Sequence, residues 1–426
     1  MSERADLSAP GPTPDDVRAD ARADARAWIA AHWSPDLELI EWRRMLAASG
    51  WGAPSWPAQW HGRGLPAWAD DVVAAEIARA GAVGPPVGSG MALAAPTILA
   101  HGPDRMRERF LLPTLTGDVT WCQLFSEPGA GSDLAGLSTT AVLDGDEWVV
   151  NGQKVWNTSA HHADLGILVA RTDWDVPKHR GLTYFVIPMK QAGVLVRPLR
   201  QMNGHSSFNE VFFTDARIAR DWVVGSVGDG WAAALTTLAH ERRFGAMGRP
   251  AYGARTGRAI DEARVEADRH FATYSWYPQR AGRVDLLAGQ VRANGLSSDG
   301  LIRDDVAAVI AKQRVAGWTA DRARAARALG RQPGAEGSIG KLAMSDIARA
   351  AARAHSRLGG ADAMLGHDDG ALGGTVAEIL VSVPAQSIAG GTDEIQKNII
   401  GEKSLGLPRE PAIDKDLPFN QTRRNG

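Results

Sequence analysis

Residues 122–141 read CQLFSEPGAGSDLAGLSTTA. Pro128, Gly129 and Gly131 among small residues break any regular element. The result is a turn whose backbone N–H groups are free to face an anion, with the Ser132 hydroxyl as a further donor. Taken alone, a Gly-rich turn is more often only a turn. Its position decides the architecture, because the texture of the chain changes around it. Upstream the sequence is helical. Thr13-Pro14-Asp15-Asp16 supplies a cap residue, a first-turn proline and acids at the positive end of an Ala-rich helix reaching about Trp33. A second helix is expected over 66–80 with Gly81 as its stop, and a third piece over 106–115.

Downstream, from about Thr120 to Trp222, short β-branched runs alternate with turn residues. Strands are expected at 139–143, 148–150, 165–170, 183–187, 194–197 and 210–213, with Asp144-Gly145-Asp146-Glu147 as a hairpin turn. After Gly230 the chain is helical again over 231–247, 303–329 and 340–356, with Gly-rich joints between, and the tail beyond Gly406 reads as an arm or frayed end. The fold class is therefore α+β multidomain. An N-terminal helical domain (1–119) is followed by a central antiparallel β-sandwich or barrel (120–222). A C-terminal helical domain (223–406), read as a four-helix bundle, and a tail (407–426) complete the chain.

Composition narrows the function. The 426 residues are 44% hydrophobic and 23% charged, so the chain can bury a core without disulfides or structural metals. Lys+Arg 47 against Asp+Glu 49 leaves a net charge of −2, with no bulk pull toward nucleic acid or anionic membrane. The single cysteine, Cys122, suits a reducing compartment. No secretory signal is visible at the start, and the uncharged span 80–103 is broken by prolines and glycines, so a cytoplasmic protein without a membrane span is expected. Residues 334–342 lack P-loop glycine spacing, Gly88-Ser89-Gly90 is no dinucleotide fingerprint, and adjacent His161-His162, read as lying on a strand, are a poor metal pair. No metal site is expected.

Four further segments carry chemistry. NGQKVWNTSA (151–160) places Trp156 and Thr158 where they can flank a planar heterocycle, although a core Trp would look the same. FNEVFF (208–213) contains the strand expected at 210–213. LAHERR (238–243) sets Glu241 beside Arg242, usually a surface ion pair. SIAGGTDEIQKNIIGEKSLGLP (387–408) exposes helix N-terminal amides after Gly390-Gly391, or is an ordinary turn.

Together, over roughly residues 15–406, these motifs resemble the acyl-CoA dehydrogenase family. The resemblance implies non-covalently bound FAD, oxidation of the α,β C–C bond of an acyl thioester (on CoA or on acyl carrier protein), and electron-transfer flavoprotein as acceptor. It implies that Gln123, Phe125 and Ser126 line the flavin ring, that Gly131 and Ser132 meet the pyrophosphate, and that Ser132 also lies near the CoA moiety. Trp156 and Thr158 would cover the flavin, and Thr392 and Glu394 would contact the dinucleotide. Gly359 and Gly360 would touch the neighbouring subunit's cofactor, in a homodimer or homotetramer. Members with the catalytic base on the last helical segment carry Glu just before the Gly-Thr pair, where this chain has Gly390. Isovaleryl- and long-chain-type members keep it on the earlier helix before an Arg, where this chain has Glu241. Arg242, Gly390 and Gly391 would then stand at the substrate, with a backbone N–H at Gly390 on the thioester oxygen.

Two departures stand out. The family's Arg-x-x-Phe-Gly stretch is replaced by YSWYPQRAGR (274–283), leaving Arg280 as the candidate for the pyrophosphate, and Ser356 replaces a usual glutamine. Rival readings are a flavin oxidase or monooxygenase of the same superfamily, and a flavin-binding partner subunit without independent activity. A branched, bulky or long acyl group is expected.

Overall fold

The computed structural model describes residues 14–244, 249–328, 335–411 and 414–422, with side chains described over 16–241, 249–326, 335–411 and 414–422. The helices before the sheet are α1 (Pro14–His32), α2 (Leu39–Ser49), α3 (Trp68–Ala80), α4 (Ala95–His101) and α5 (Asp104–Thr116). The strands are β1 (Trp121–Leu124), β2 (Thr140–Asp144), β3 (Glu147–Lys154), β4 (Leu165–Arg171), β5 (Leu182–Pro188), β6 (Val194–Leu199) and β7 (Phe208–Ala219). The helices that follow are α6 (Gly230–Phe244), α7 (Arg258–Ala272), α8 (Tyr277–Arg280), α9 (Val284–Ala293) and α10 (Gly300–Ala328). The last are α11 (Glu336–Gly359), α12 (Thr375–Ser382), α13 (Pro384–Ile388) and α14 (Asp393–Ser404). No helix among the described residues is long and apolar enough to cross a membrane.

The chain forms two compact units. The first comprises the residues up to Met91 with 104–119 and 249–269. Its helices pack Ala25, Ile29, Trp42, Leu46, Val73 and Ile260 into one core. Trp42 stacks on Trp28 at 5.6 Å and donates its indole N–H to the Val83 carbonyl at 2.6 Å, so the ring is buried without an orphaned donor. Buried Arg43 on α2 forks onto Glu266 of α7 at 2.6 and 2.9 Å. Glu76 of α3 accepts from Arg26 and Arg79, and these partners bring its carboxyl down to about 2. Gly81 ends α3 in the left-handed region (φ 71), where its N–H meets the Ala78 carbonyl at 3.1 Å. Trp51, Trp56, Val73, Ile77, Met91 and Tyr252 line an apolar cavity of about 470 Å³ in this unit. Helices α2 and α7 were not among the expected elements.

The second unit comprises 92–103, 120–248 and 270 onward. It holds a seven-stranded sheet in the order β1-β4-β2-β3-β7-β6, with β5 paired to β4. β2 and β3 form the expected hairpin, closing on Asp144↔Glu147 with Gly145 at φ 61. β4 and β5 read as near-continuous apolar runs and are buried along nearly their whole length. Most pairings are antiparallel. β1 differs: it lies parallel to β4, Trp121 opposite Leu165, because the chain spends residues 125–164 on a turn and a hairpin before returning beside it. Its four residues offer no alternation to read, which is why the strand escapes a period-based reading. The only cysteine, Cys122, is fully buried on β1, and burial pushes its thiol up.

Two local expectations are corrected. His161 and His162 lie in a turn after β3 rather than on a strand, with ring centroids 3.9 Å apart. The tail is not wholly a frayed end. Phe419 is buried, and its N–H reaches the Val176 carbonyl at 2.9 Å. The helical remainder of the unit packs α9, α10 and α11 around Leu287, Val309, Ala351 and Leu358. A second cluster joins α11 and α12 through Ala348 and Ile379.

Candidate active site

The Gly-rich turn hangs from a buried ion pair. Glu127, 9% exposed, meets the fully buried Lys154 of β3 at 2.8 Å. Glu127 also accepts from the Ser138 N–H at 2.6 Å and the Thr139 N–H at 2.8 Å, while Lys154 donates to the Phe125 carbonyl at 2.9 Å. Burial pushes the Glu127 carboxyl up, but Lys154, Thr139 and Ser138 outweigh it and hold the group below its ordinary value. Both ends of the segment 125–139 are thereby pinned to β3. Between them Gly131 and Ser132 are exposed, and open space surrounds the position a Cβ at Gly131 would take. Phe125 is buried edge-on against Tyr184 at 5.8 Å. Ser126 gives its carbonyl to the Val155 N–H at 2.9 Å.

That last bond begins the turn that carries Trp156. On its other side Asn157 and Asn209 of β7 exchange backbone hydrogen bonds at 3.1 Å in each direction. Clamped on both sides, Trp156 takes φ 65 and stands 56% exposed. A left-handed, solvent-facing Trp is costly unless it has a partner to cover. Its ring meets Phe208 edge-on at 5.7 Å, and Phe208 meets the buried Trp276 at 6.0 Å. Thr158 follows in the same turn, half-buried.

Gln123 joins this turn to the carboxylate singled out on the mid-chain helix. Its carbonyl accepts from the Asn157 side chain at 2.8 Å, and its own amide donates to Glu241 Oε2 at 3.1 Å. Glu241 is half-buried near the end of α6, and Tyr274, Tyr277 and Arg280 lie within its electrostatic reach. Burial pushes both tyrosines up, and the Arg280 guanidinium down. Arg280 donates to Gln386 at 2.8 Å and packs on the Tyr277 ring. The side chain of Arg242 lies outside the described residues.

The Gly390-Gly391 turn takes φ 68 and φ 81, conformations that suit glycine. Gln396 donates to both carbonyls, at 2.9 and 3.3 Å. This leaves the two N–H groups without a hydrogen bond among the described residues. Thr392 caps its own helix, accepting from the Ile395 N–H at 3.3 Å, and Glu394 is exposed. Asp393 between them is buried against Lys341 at 3.0 Å and Arg349 at 2.5 Å. Burial pushes its carboxyl up, but bonds from Arg349, Ser345 and Lys341 win and hold it well below the usual range.

The residues expected at the site thus fall into contact groups. Gln123 and Glu241 touch, and Ser126 borders the Trp156 turn. Gly390, Gly391 and Thr392 share the Gln396 lock. Gly359 and Gly360 stand apart at the end of α11, where a Cβ on Gly359 would press Ala363 and Ala371 at 2.9 Å. Sequence reasoning overlooked Tyr274, Tyr277, Gln386 and the Asn157–Asn209 pair. Three of these lay inside quoted stretches, but nothing in spacing marks a side chain that will face a distant carboxylate.

The donor set suits a flat ring with a pyrophosphate tail. It offers an exposed indole, an open turn of amides with a hydroxyl, and a buried Asn157 Oδ1 with no hydrogen-bond partner among the described residues. Matches to known proteins agree. The acyl-CoA dehydrogenase N-terminal, middle and C-terminal domain models match residues 15–118, 122–216 and 284–405. Acyl-CoA dehydrogenase FadE34 of Mycobacterium tuberculosis is 39% identical over 370 residues, 85% of this chain but 46% of that protein, so the chain spans under half of that relative's length. Acyl-CoA dehydrogenase IpdE1 of the same organism is 37% identical over 378 residues, covering 87% of this chain and 88% of the relative. Among solved structures, the ChsE4–ChsE5 complex from M. tuberculosis superposes with TM-score 0.59 at 27% identity, covering 94% of this chain and 100% of that one. Helical, β and helical domain models matched in order, with a relative 37% identical over most of both chains, place the chain in the acyl-CoA dehydrogenase family of FAD-binding flavoprotein oxidoreductases.

Proposed function

We propose that the chain carries out FAD-dependent α,β-dehydrogenation of an acyl-CoA thioester to the trans-2-enoyl product, with Glu241 as the base. The observation that carries this reading is the position of Gln123, which bonds the Trp156 turn through its backbone and Glu241 through its side chain. The carboxylate thereby sits beside the residues suited to the flavin. Gln123, Phe125, Ser126, Trp156 and Thr158 would hold the ring, and Gly131 and Ser132 the pyrophosphate. Thr392, Glu394, Arg280, Gly359 and Gly360 are the further candidates for the dinucleotide. Bound FAD supplies the two-electron acceptor for the β-hydrogen.

The chain's own work is proton removal and charge stabilisation. The α C–H is acidic only to the extent that negative charge on the thioester oxygen is stabilised. The free N–H groups of Gly390 and Gly391 are suited to that oxygen, and glycine there keeps the donor while leaving no carboxylate. Glu241 takes the α-proton, and Gln123 orients it. Trp156 excludes water from the ring face. The absence of bulk at 390 favours a branched, bulky or long acyl group.

The test is anaerobic flavin bleaching with a panel of acyl-CoAs, with Glu241→Gln as control. Turnover should fall about 10²- to 10⁴-fold in the variant while FAD stays bound. Undiminished bleaching would remove Glu241 from the mechanism, and rapid reoxidation of the reduced flavin by air would favour an oxidase.

A second reading concerns assembly. α10 exposes Leu301, Val315 and Trp318, the last 67% exposed, a face that suits a partner subunit. The chain is then a subunit of a homodimer or homotetramer, or one half of a mixed complex of the ChsE4–ChsE5 kind, with electron-transfer flavoprotein as acceptor. Sedimentation of the lone chain, with assay of its flavin content and turnover, separates these.

A further inference from the structure

The Gly-rich turn is steadied from behind by a residue that the proposed chemistry does not use. Arg171 ends β4 with 0% exposure. Its guanidinium donates to the Ala135 carbonyl at 2.7 Å, the Leu137 carbonyl at 3.1 Å and the Lys178 carbonyl at 3.2 Å. These bonds fix the backbone just after residues 129–132. Asp133, at the edge of the turn, is held by Lys178 at 2.9 and 3.1 Å, so it follows the same frame. Gly131 and Ser132 themselves make no hydrogen bond among the described residues, and their aim depends on their flanks.

The flat face of Arg171 is covered by the end of the chain. Its guanidinium carbon lies 3.5 Å from the centroid of the Phe419 ring, which is 3% exposed. Phe419 is set by its N–H to Val176 at 2.9 Å, by the Asn420 N–H to Trp174 at 3.1 Å, and by Trp174 leaning on it at 5.3 Å. A guanidinium stripped of this cover would admit water, which competes for the same three carbonyls.

We propose that the C-terminal segment 417–422 is a positioning element for the pyrophosphate-binding turn 129–132, acting through Phe419 and Arg171. This rests on the reading of that turn as the pyrophosphate site. The ligand class is a dinucleotide, here FAD, and the segment touches the turn's support rather than the ligand.

The experiment uses the full chain, stripped of flavin and reconstituted. Phe419→Ala should raise the FAD dissociation constant roughly tenfold, in keeping with a desolvated cation–π contact, and speed amide exchange over 128–139 in the flavin-free protein. The kcat at saturating FAD should stay within about twofold, and Phe419→Tyr should restore affinity. Unchanged FAD affinity, or exchange that quickens equally throughout β4 and β5, would overturn the proposal. Should Phe419→Ala fail to fold, linkage supplies a second test on the unmodified chain. FAD binding must slow amide exchange at 417–422, because coupling is reciprocal, and no slowing would sink the idea. Failure of the unmodified chain to bind FAD would strike the cofactor reading itself, whereas normal binding with an indifferent Phe419→Ala strikes only this inference.

Discussion

The Glu127–Lys154 pair offers a measurement that separates a coupled buried unit from two independent contacts. Neither side chain has water to fall back on: Lys154 is 0% and Glu127 9% exposed. Glu127→Gln keeps the shape and an amide oxygen for Lys154, but leaves the buried ammonium without its counter-charge and turns an NH2 toward the Ser138 N–H that the carboxylate had accepted. Removing one member of such a pair costs about 3–5 kcal/mol. Lys154→Met should cost less, because Glu127 retains the Ser138 and Thr139 N–H groups. The double variant removes both charges together and should recover about 1–3 kcal/mol relative to the sum of the singles.

Urea unfolding followed by circular dichroism, at matched protein concentration, gives the four corners of the cycle. The sign of the pH dependence follows from the depressed Glu127 carboxyl, whose ordinary value is 4.5. Its contribution is complete above that ordinary value and fades as pH falls through the lower folded one. The gap between native and Glu127→Gln should therefore narrow in acid. Additivity within about 0.5 kcal/mol would refute the reasoning, as would a gap that widens in acid.

Gly390 sits at φ 68 in open space. Gly390→Glu in the Glu241→Gln background should therefore restore measurable turnover for about 1–2 kcal/mol of backbone strain, and turnover staying at background in a folded, flavin-loaded variant would count against the second launch point. Trp156→Gly should relieve the left-handed backbone, holding the Tm of flavin-free protein nearly constant while FAD affinity falls; unchanged affinity in a fluorescence titration would show that the indole does not cover the ring. Asp393→Asn should cost about 2–4 kcal/mol at neutral pH, discounted because Arg349 is 46% exposed. That contribution is present above the ordinary carboxylate range and lost as pH falls through the depressed folded value, so acid unfolding should begin at a higher pH in the native protein than its neutral stability suggests and be less steep in Asp393→Asn.

Much was legible along the chain because it is written locally. The Thr392 cap, the Gly81 stop, the β2–β3 hairpin and the apolar runs of β4 and β5 depend on neighbours a few residues away, while the Thr13 cap expected for α1 lies outside the described residues. The Gly-rich turn at 129–132 depends on near neighbours too, whereas the choice of position 241 over position 390 for a base comes from the family resemblance and not from the chain's own spacing. The parallel seat of β1 could not be read, since register there comes from Leu165–Leu168, some forty residues on. Nor could the grip of Gln123 on Glu241, 118 positions apart, or the seating of Phe419 over Arg171. Side-chain partnerships of this kind are settled by how strands, helices and the returning tail pack. Sequence alone determined which residue types could do the chemistry; the tertiary structure decided which were brought within hydrogen-bonding distance, as Gln123 and Glu241 were. The physical reason is range: propensity and capping act over one or two turns of chain, whereas burial and hydrogen bonding act over a few ångströms of space, however far apart the partners lie in sequence.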